Sequence, residues 1–253
     1  MLNFDIVGQG ATTKIYRDGT TAIKLYMDAS YGEVQGEAER QQFAYDNGLP
    51  VPAVYGVRRL DARSVALDME YVDGRPLMQP GMGKDDRNSA VQTLVRLQCG
   101  VHRLHAGGLP FFAERLSLKI SSLQELDEPI KHSLLLLLAR LDRGFTSLCH
   151  GDFHPLNVLF DGRKHWIVDW VDAAAGDPLA DACRTYIIFK QHLSRLAGMY
   201  LRVFCSETCA RQEDILAWQP VIAAARLAEN ADAKSRAWLL SQVQAWHKSS
   251  RVP

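Results

Sequence analysis

The chain has 253 residues, 47% of them hydrophobic and 23% charged, so it is long enough to build one large domain or two lobes around a sizeable core. Lysine and arginine together number 29, and so do aspartate and glutamate, which gives a formal net charge of zero. This balance argues against a chain that its overall charge draws to nucleic acid or to an anionic membrane.

Targeting and redox signals are absent from the sequence. Residues 1–7 carry no basic flank and no long apolar run, and the apolar run at 134–139 is far too short to cross a bilayer. Five cysteines form no CxxC pair, and their odd number argues against a complete disulfide framework. We therefore expect a soluble, cytoplasmic protein with no membrane partner and reduced thiols; the sequence leaves the oligomeric state open.

Short β-type segments open the chain, at residues 4–7, 14–17 and 21–26. Asp18-Gly19 between the last two is typical of a hairpin, so we predict an antiparallel sheet. Gly8 and Gly10 lie in the turn after the first segment, where their lack of a Cβ would let backbone amides approach phosphates. Two glycines in a hairpin more often serve only to form the turn and do not bind phosphate.

Lys24 ends the third segment, and a helix is predicted after it, over residues 31–48, with Asn47-Gly48 as its C-terminal cap. This helix would turn Glu37 inward to pair with Lys24 and hold the ammonium over phosphate oxygens. Glu39 is the competing partner, and a solvated Lys24 is the alternative.

Residues 64–72 show the period-two alternation of a half-buried strand, which Asp73-Gly74 then ends. A sheet that ends here, before a helical remainder, suggests a hinge with a nucleotide lying against its backbone. An ordinary edge strand and loop is the alternative. We therefore predict two lobes, 1–72 for the nucleotide and 73–253 for the catalytic loop and substrate pocket.

The remainder is predicted to be mainly helical. Apolar spacing indicates helices over about 88–105, 128–140, 218–230 and 233–246, and 145–149 is predicted to be a short strand. Asp177-Pro178 is an explicit helix start. Cys99 and His102 lie on the first of these helices and are predicted to have no specific role. Residues 109–130 give no clear element.

The stretch 150–170 carries the residues best suited to chemistry: HGDFHPLNVLF, a short hairpin and IVDW. Phosphoryl transfer requires that the negative charge of the phosphate groups be neutralised. It also requires a carboxylate that orients the attacking hydroxyl or accepts its proton. Asp152 is the candidate for that carboxylate. Asn157 and Asp169 would supply a neutral and an anionic oxygen to Mg²⁺. Together with Lys24 they would hold ATP.

His150-Gly151-Asp152 followed by four residues and Asn157 has the spacing of the protein-kinase loop H-R-D-x-x-x-x-N, with glycine in place of arginine. With IVDW and GDPLADACRTY after it, and TAIK and MEYVDG before it, this stretch resembles the aminoglycoside phosphotransferase and choline kinase-like superfamily over most of the chain. The resemblance implies an α+β, bilobal, protein-kinase-like fold: an N-terminal antiparallel sheet lobe with one helix, and a larger, mainly helical C-terminal lobe. It also implies Mg-ATP-dependent transfer of the γ-phosphoryl group to a hydroxyl of a small molecule, an antibiotic or a metabolite.

On the nucleotide side, the resemblance implies that Lys24 contacts the α- and β-phosphates with Glu37 as its partner. The backbone at Glu70 and Val72 would hold adenine beside Met69.

On the catalytic side, the resemblance implies that Asp152 is the catalytic base and that Asn157 and Asp169 bind magnesium. His150 and Asp181 would brace the catalytic loop rather than react.

The sequence also departs from the family. Thr13 stands where a kinase loop carries its third glycine. The helical half lacks the dense acidic cluster that a polycationic aminoglycoside would require. Trp170 and Asp172 follow the metal aspartate, and Arg226 and Glu229 lie on a late helix, so these four are candidates for the substrate pocket; Arg226 and Glu229 would otherwise be a surface pair.

Other classes of function remain as alternatives. His150, Asp152 and His154 are alternate residues, which in an extended strand would face one way and could bind zinc, as in a metal-dependent hydrolase. The alternative role for His154 is to brace the loop. A protein kinase is disfavoured because only six residues separate Asp169 from Gly176, which leaves no room for an activation segment. The third alternative is a non-catalytic nucleotide-binding module of the same fold.

Overall fold

The structure is a computed structural model that describes residues 5–9, 13–229 and 232–249. The chain forms two compact units. The first contains the residues up to Met82 and the segment Pro155–Ala173, and the second contains Gly83–His154 and the residues from Ala174 onward. These units differ from the predicted lobes, 1–72 and 73–253, because the hairpin after the catalytic loop joins the first unit. The assignment of nucleotide and substrate to those lobes stays a prediction.

An antiparallel sheet forms the body of the first unit. Its strands are β1 (Asp5–Gln9), β2 (Thr13–Asp18), β3 (Thr21–Met27), β4 (Val54–Arg59) and β5 (Ser64–Glu70), in the order β1-β2-β3-β5-β4. The predicted antiparallel N-terminal sheet is therefore confirmed. β3 is the middle strand, and Lys24 lies opposite Ile15 on one neighbour and Leu67 on the other.

Helix α1 (Tyr31–Asp46) has strong local signals at both ends. Ser30 accepts a hydrogen bond from the Glu33 N–H, and the Glu33 carboxylate accepts one from the Ser30 N–H, a reciprocal capping box. Gly48 follows the helix with φ of +78°, a left-handed conformation that glycine adopts without a Cβ clash. These caps explain why the predicted bounds nearly match the observed ones.

A small apolar core joins α1 to the sheet. Val34 and Ala38 pack against Val65 and Leu67, and all four side chains are buried. Because positions three and four apart share a helix face, this packing also turns Glu37 into the interior, where it is 2% exposed.

The first unit also contains three short strands: β6 (Arg75–Pro76), β8 (Val158–Phe160) and β9 (His165–Ile167), in the order β6-β8-β9. Gly162, with φ of +92°, lies in the turn between β8 and β9. The Val168 N–H donates to the Asn157 carbonyl at 3.0 Å, which ties together the two ends of this hairpin.

The second unit is mainly helical, as predicted. Its helices are α2 (Lys84–His102), α3 (Phe112–Ser122), α4 (Glu128–Leu141), α5 (Pro178–His192), α6 (Ser194–Thr208), α7 (Gln212–Leu216), α8 (Gln219–Leu227) and α9 (Ala233–Ser249), with strands β7 (Ser147–Cys149) and β10 (Ala174–Gly176). α3 lies within residues 109–130, for which no clear element is predicted. Within the described part of the chain, no helix combines the length and apolarity needed to cross a membrane.

The start of α5 is fixed by local chemistry and close packing. Asp177 caps the helix by accepting a hydrogen bond from the Leu179 N–H at 2.8 Å, and Pro178 is the first helical residue, as predicted. A Cβ at Gly176 would lie 2.6 Å from the Cβ of Phe112. Glycine is therefore required where β10 packs against α3.

Candidate functional site

A cavity of about 490 Å³ lies within the first unit. All the predicted nucleotide- and magnesium-binding residues that the structure describes contribute to its wall: Gly8, Lys24, Glu37, Met69, Glu70, Val72, Asn157 and Asp169. Gly10 lies outside the described residues. The sheet, α1 and the β8–β9 hairpin thus bring residues that are far apart in sequence around a single space.

Lys24 is buried in this wall between two carboxylates. Its Nζ lies 2.8 Å from Glu37 Oε1 and 2.8 Å from Asp169 Oδ1, and its side chain is 7% exposed. The Tyr26 hydroxyl donates to the other carboxylate oxygen of Glu37. Of the two predicted partners of Lys24, Glu37 makes the contact and Glu39 is exposed.

The electrostatics of this group keep Lys24 charged. Burial on its own lowers the pKa of Lys24, but the carboxylates of Glu37 and Asp169 outweigh it and hold that pKa above its usual value. Burial raises the pKa of Tyr26, whose phenol therefore keeps the proton that it donates to Glu37. The cavity wall thus carries a fixed ammonium at neutral pH.

Asp169 and Asn157 supply oxygen donors to the same wall. Asp169 has φ of +69°, a left-handed conformation that is uncommon outside glycine and often marks functional sites. Carboxylate and amide oxygens suit Mg²⁺, which usually takes one or two protein ligands and completes its shell with phosphate oxygens and water. The donor set therefore fits this metal.

The wall near the end of β5 is held by hydrogen bonds. Gln41 Nε2 donates to the Pro52 carbonyl at 2.8 Å and lies 3.6 Å from Met69 Sδ. The Glu70 N–H donates to the Ala53 carbonyl at 2.8 Å, and the Glu70 carboxylate accepts from the Ala53 N–H at 3.2 Å. Sequence reasoning missed Gln41, although it lies four residues after Glu37 and hence on the same face of α1.

In the second unit, the loop that contains Asp152 is braced from within. Gly151 has φ of +79° and donates its N–H to Asp181 Oδ1 at 2.8 Å. His150 is fully buried, and its Nδ1 accepts the Asp152 N–H at 3.3 Å. The positive φ explains why glycine suits this position, where the protein-kinase loop has arginine.

Asp181 is the hub of a buried polar network. Its Oδ2 accepts from Gln98 Nε2 at 3.1 Å and from His102 Nε2 at 2.8 Å. Burial on its own raises the pKa of Asp181, but the interactions with His102, Gln98 and His150 together outweigh it and lower that pKa. The prediction that His102 has no specific role was wrong, because His102 binds Asp181. Its position four residues after Gln98, on one face of α2, was the available signal.

A second group surrounds the carboxylate of Asp152. Arg184 Nη2 lies 3.1 Å from Asp152 Oδ1, and Arg184 Nη1 lies 2.7 Å from Glu229 Oε1. Arg226 Nη1 lies 3.3 Å from Glu229 Oε2 and 3.8 Å from Asp152 Oδ1. Lys119 Nζ lies 2.8 Å from Glu229 Oε1. These five residues form what we call the Asp152 cluster.

Both carboxylates of the Asp152 cluster are ionised at neutral pH. Burial on its own raises the pKa of Asp152, but a hydrogen bond from His154 and the charge of Arg184 hold it well below its usual range. Burial likewise raises the pKa of Glu229, but Arg184, Arg226 and Lys119 together lower it to about 2. The cluster is therefore a set of charged groups and not of neutral acids.

The four substrate-pocket candidates have different surroundings. Arg226 and Glu229 belong to the Asp152 cluster and are not a separate surface pair. Trp170 is fully buried in the first unit, where its indole N–H donates to the Ile167 carbonyl, so it offers no surface to a ligand. Asp172 is half-buried in that unit.

Sequence reasoning missed Arg184 and Lys119. Arg184 lies three residues after Asp181 on α5, a spacing that could have indicated that both face the loop of Asp152. Lys119 lies on α3, within the stretch 109–130 for which no clear element is predicted, so no spacing in the sequence indicates its role.

The zinc site of the alternative hydrolase does not form. His154 Nε2 contacts Asp152 Oδ2 at 3.3 Å, whereas His150 uses its Nδ1 to accept the Asp152 N–H. Across residues 5–9, 13–229 and 232–249, no group of three or more His, Cys, Asp or Glu side chains is arranged to hold a metal ion.

Sequence comparison identifies a family over most of the chain. The sequence profile of the APH family, described as "Phosphotransferase enzyme family", matches residues 6–220. A curated relative, "Uncharacterized protein YcbJ" of Bacillus subtilis (strain 168), is 40% identical over 60 residues. That match covers 22% of this chain and 20% of the relative, so the chain spans about a fifth of the relative's length.

Solved structures of phosphotransferases share the fold. An aminoglycoside-3'-phosphotransferase of type VIII has a TM-score of 0.65 and 24% identity, over 88% of this chain and 93% of that one. A thermostable mutant of aminoglycoside phosphotransferase APH(4)-Ia, in ternary complex with AMP-PNP and hygromycin B, has a TM-score of 0.70 and 16% identity, over 100% and 95% of the two chains. A choline/ethanolamine kinase family protein from Mesorhizobium loti has a TM-score of 0.64 and 20% identity, over 99% and 88%.

These likenesses confirm the predicted α+β fold, and the profile match confirms the predicted family resemblance. The chain belongs to the phosphotransferase enzyme family.

Proposed function

We propose that this phosphotransferase transfers the γ-phosphoryl group of ATP, bound with Mg²⁺, to a hydroxyl group of a small molecule. The observation that carries the proposal is the cavity wall of the first unit, where the charged Lys24 lies beside the oxygen donors Asn157 and Asp169. A fixed ammonium matches the phosphate chain, and hard oxygen donors match the magnesium that accompanies it.

The nucleotide would lie in this cavity. Lys24, oriented by Glu37, would contact the α- and β-phosphates, and the backbone at Glu70 and Val72 would hold adenine. Asn157 and Asp169 would hold Mg²⁺, which would neutralise the negative charge on the transferred phosphoryl group.

Asp152 would act on the acceptor. Its carboxylate is ionised at neutral pH, so it can accept a hydrogen bond from the attacking hydroxyl and orient it in line with the phosphoryl group. Because a low pKa makes a weak base, orientation is its main contribution, and the proton passes to it as the new O–P bond forms. Asp152 precedes Asn157 by five positions in the sequence, the spacing found in protein kinases.

The fold comparisons support ATP and a small acceptor as the substrates. One structure that shares the fold holds an ATP analogue together with hygromycin B, a small molecule. Sequence identities below 25% support a shared fold but not a shared substrate, so the acceptor is to be identified by experiment.

Label transfer tests the proposal. Purified protein is incubated with γ-³²P-labelled ATP and magnesium, together with aminoglycosides, macrolides, amino alcohols, sugars or nucleosides. We expect label on one acceptor class, with matching release of ADP and loss of both signals when a chelator removes the metal. Tight Mg-ATP binding without transfer to any class would contradict a catalytic role and favour the non-catalytic nucleotide-binding module.

A further inference from the structure

A second cavity, of about 880 Å³, lies within the second unit, lined by the start of α2, the end of α5 and one face of α6. We call it the α2–α6 cavity. None of its lining residues is acidic, and five are basic: Lys84, Arg87, His192, Arg195 and Arg202. Sites for small ligands have volumes of about 300–1,000 Å³. The cavity is therefore large enough for a small molecule.

The α2–α6 cavity is remote from the loop that contains Asp152. His102, at the end of α2, binds Asp181, near the start of α5 and beside that loop. Lys84, at the start of α2, and His192, at the end of α5, line the cavity instead. At about 1.5 Å per residue, the stretch of α5 from Asp181 to His192 is about 16 Å long. The cavity is therefore a candidate site of its own.

The lysine and the three arginines of the α2–α6 cavity have no counter-charge within the described part of the chain. All four side chains are exposed, and none of them forms an ion pair with another described residue. Like charges that line one cavity repel each other, and an anion that binds among them relieves that repulsion. Because the whole chain is formally neutral, this local excess arises from where the fold places these side chains.

The acidic residues nearest in sequence do not line the cavity. Asp85 and Asp86 lie in the first turn of α2, next to Lys84 and Arg87. The carboxylate of Asp86 lies against the start of its own helix, since its Oδ2 is 3.2 Å from the position that a Cβ on Gly83 would take. Such a carboxylate interacts favourably with the N-terminus of the helix. Neither aspartate forms an ion pair with the cations of the cavity.

The cations stand on two helices. Lys84 and Arg87 are one turn apart on α2, and Arg195 and Arg202 are two turns apart on α6. A Cβ on Gly198 would lie 3.5 Å from Arg202 Nη1, so this guanidinium extends back along α6 toward Arg195. A ligand with several anionic groups can therefore contact more of these cations than a ligand with one.

Phosphate matches this set of side chains better than carboxylate does. The planar guanidinium of arginine donates two parallel hydrogen bonds to a phosphate, and arginine is the residue best suited to phosphate recognition. A phosphate monoester carries about 1.5 to 2 negative charges at neutral pH, against one for a carboxylate. Two phosphate groups therefore come close to balancing the four cations.

We propose that the α2–α6 cavity binds a small molecule that carries two or more phosphate groups. Arg195 and Arg202 on α6 and Lys84 and Arg87 on α2 contact these groups. The proposal is independent of the proposed function, because the cavity shares no residue with the nucleotide site or with the Asp152 cluster.

Calorimetry of the full chain tests the proposal, in the presence of a chelator and without nucleotide, at constant ionic strength. The probes are inorganic phosphate, pyrophosphate, tripolyphosphate and citrate, a polycarboxylate. We expect pyrophosphate and tripolyphosphate to bind at least about tenfold more tightly than phosphate and citrate. Citrate that binds as tightly as tripolyphosphate would overturn the assignment of phosphate. No binding of tripolyphosphate at millimolar concentration would overturn the site itself.

Variants locate the binding. Arg87→Gln, Arg195→Gln and Arg202→Gln should each weaken tripolyphosphate binding by about fivefold. Arg140→Gln is the matched control, because Arg140 is an exposed arginine of α4 that does not line the cavity, and it should leave the affinity unchanged. All four side chains are exposed, and circular dichroism checks that each variant is folded.

Two results with the variants would contradict the proposal. Undiminished affinity in all three cavity variants would place the binding elsewhere on the chain. Loss in the α6 variants but not in Arg87→Gln would contradict a site that both helices form. Label transfer from ATP does not enter these measurements, so a failure of the proposed function would leave their outcome unchanged.

Discussion

At the residue scale, the nucleotide side of the proposed site depends on the buried ammonium of Lys24. A lysine in this position would lose its charge to desolvation if it were alone. Glu37, itself 2% exposed, and Asp169 reverse that tendency, and α1 supplies the geometry because its apolar face packs on the sheet. The same contacts that stabilise the fold thus keep a cation in the cavity wall.

Lys24→Met should lower the free energy of unfolding by about 3 kcal/mol, because it leaves the buried carboxylate of Glu37 without its counter-charge. Urea unfolding at pH 7 measures this loss. Lys14→Met, an exposed lysine of the same sheet, is the matched control and should change stability by less than about 0.5 kcal/mol. Equal effects of the two substitutions would show that the ion pair does not stabilise the protein.

At the element scale, capping chemistry predicted where α1 and α5 begin, and apolar spacing predicted α2, α4 and α8, which have no side-chain cap. α1 has a capping box and a C-terminal glycine, and α5 has an aspartate cap followed by proline. α3 has no side-chain cap, and only Phe112, Leu116 and Ile120 mark its buried face. β4 contains a glycine and an irregular register against β5, which weakens the alternation that identifies a strand.

Gly176→Ala should destabilise the protein by about 1–3 kcal/mol, since its Cβ would lie 2.6 Å from the Cβ of Phe112, an atom that cannot rotate away. Thermal unfolding provides the readout. Gly100→Ala is the matched control: it lies in α2, nothing within 4 Å meets its Cβ, and alanine favours helix by about 0.5–1 kcal/mol. If Gly176→Ala proved neutral or stabilising, β10 would not pack against α3 as described.

At the scale of the whole molecule, the sequence located the motifs of the proposed site but not all of its charged partners. Spacing singled out Asp152, since it belongs to a short contiguous stretch. Arg184 and Lys119 lie on α5 and α3, and they come near Asp152 and Glu229 only through helix packing within the second unit. The ion pairs of Arg184 and Lys119 could therefore be identified only from the structure.

The same charges predict how stability depends on pH. The pKa values of Asp152, Asp181 and Glu229 are lower in the folded protein than their usual values, that of Glu229 falling to about 2. Their stabilisation is present above the unfolded pKa values near 4 and is lost as the pH falls toward the folded ones. Asp177 acts in the opposite sense, because burial raises its pKa, and offsets part of the loss.

We therefore expect the urea concentration at the midpoint of unfolding to decrease as the pH is lowered from about 5 to about 3. Glu229→Gln should flatten this pH dependence, since it removes one of the carboxylates that must be protonated. Glu128→Gln, whose side chain is 86% exposed, should keep the wild-type profile. A profile that is flat in the wild-type protein would contradict the ionised carboxylates of the second unit.

We propose that Asp152 serves phosphoryl transfer from ATP and not the binding of ATP. The most direct measurement compares Asp152→Asn with the wild-type protein in label transfer from γ-³²P-ATP and in Mg-ATP affinity, after circular dichroism has established that the variant is folded. We expect transfer to fall by at least about 1,000-fold while Mg-ATP affinity changes by less than about threefold. Transfer at the wild-type rate in the folded variant would contradict it.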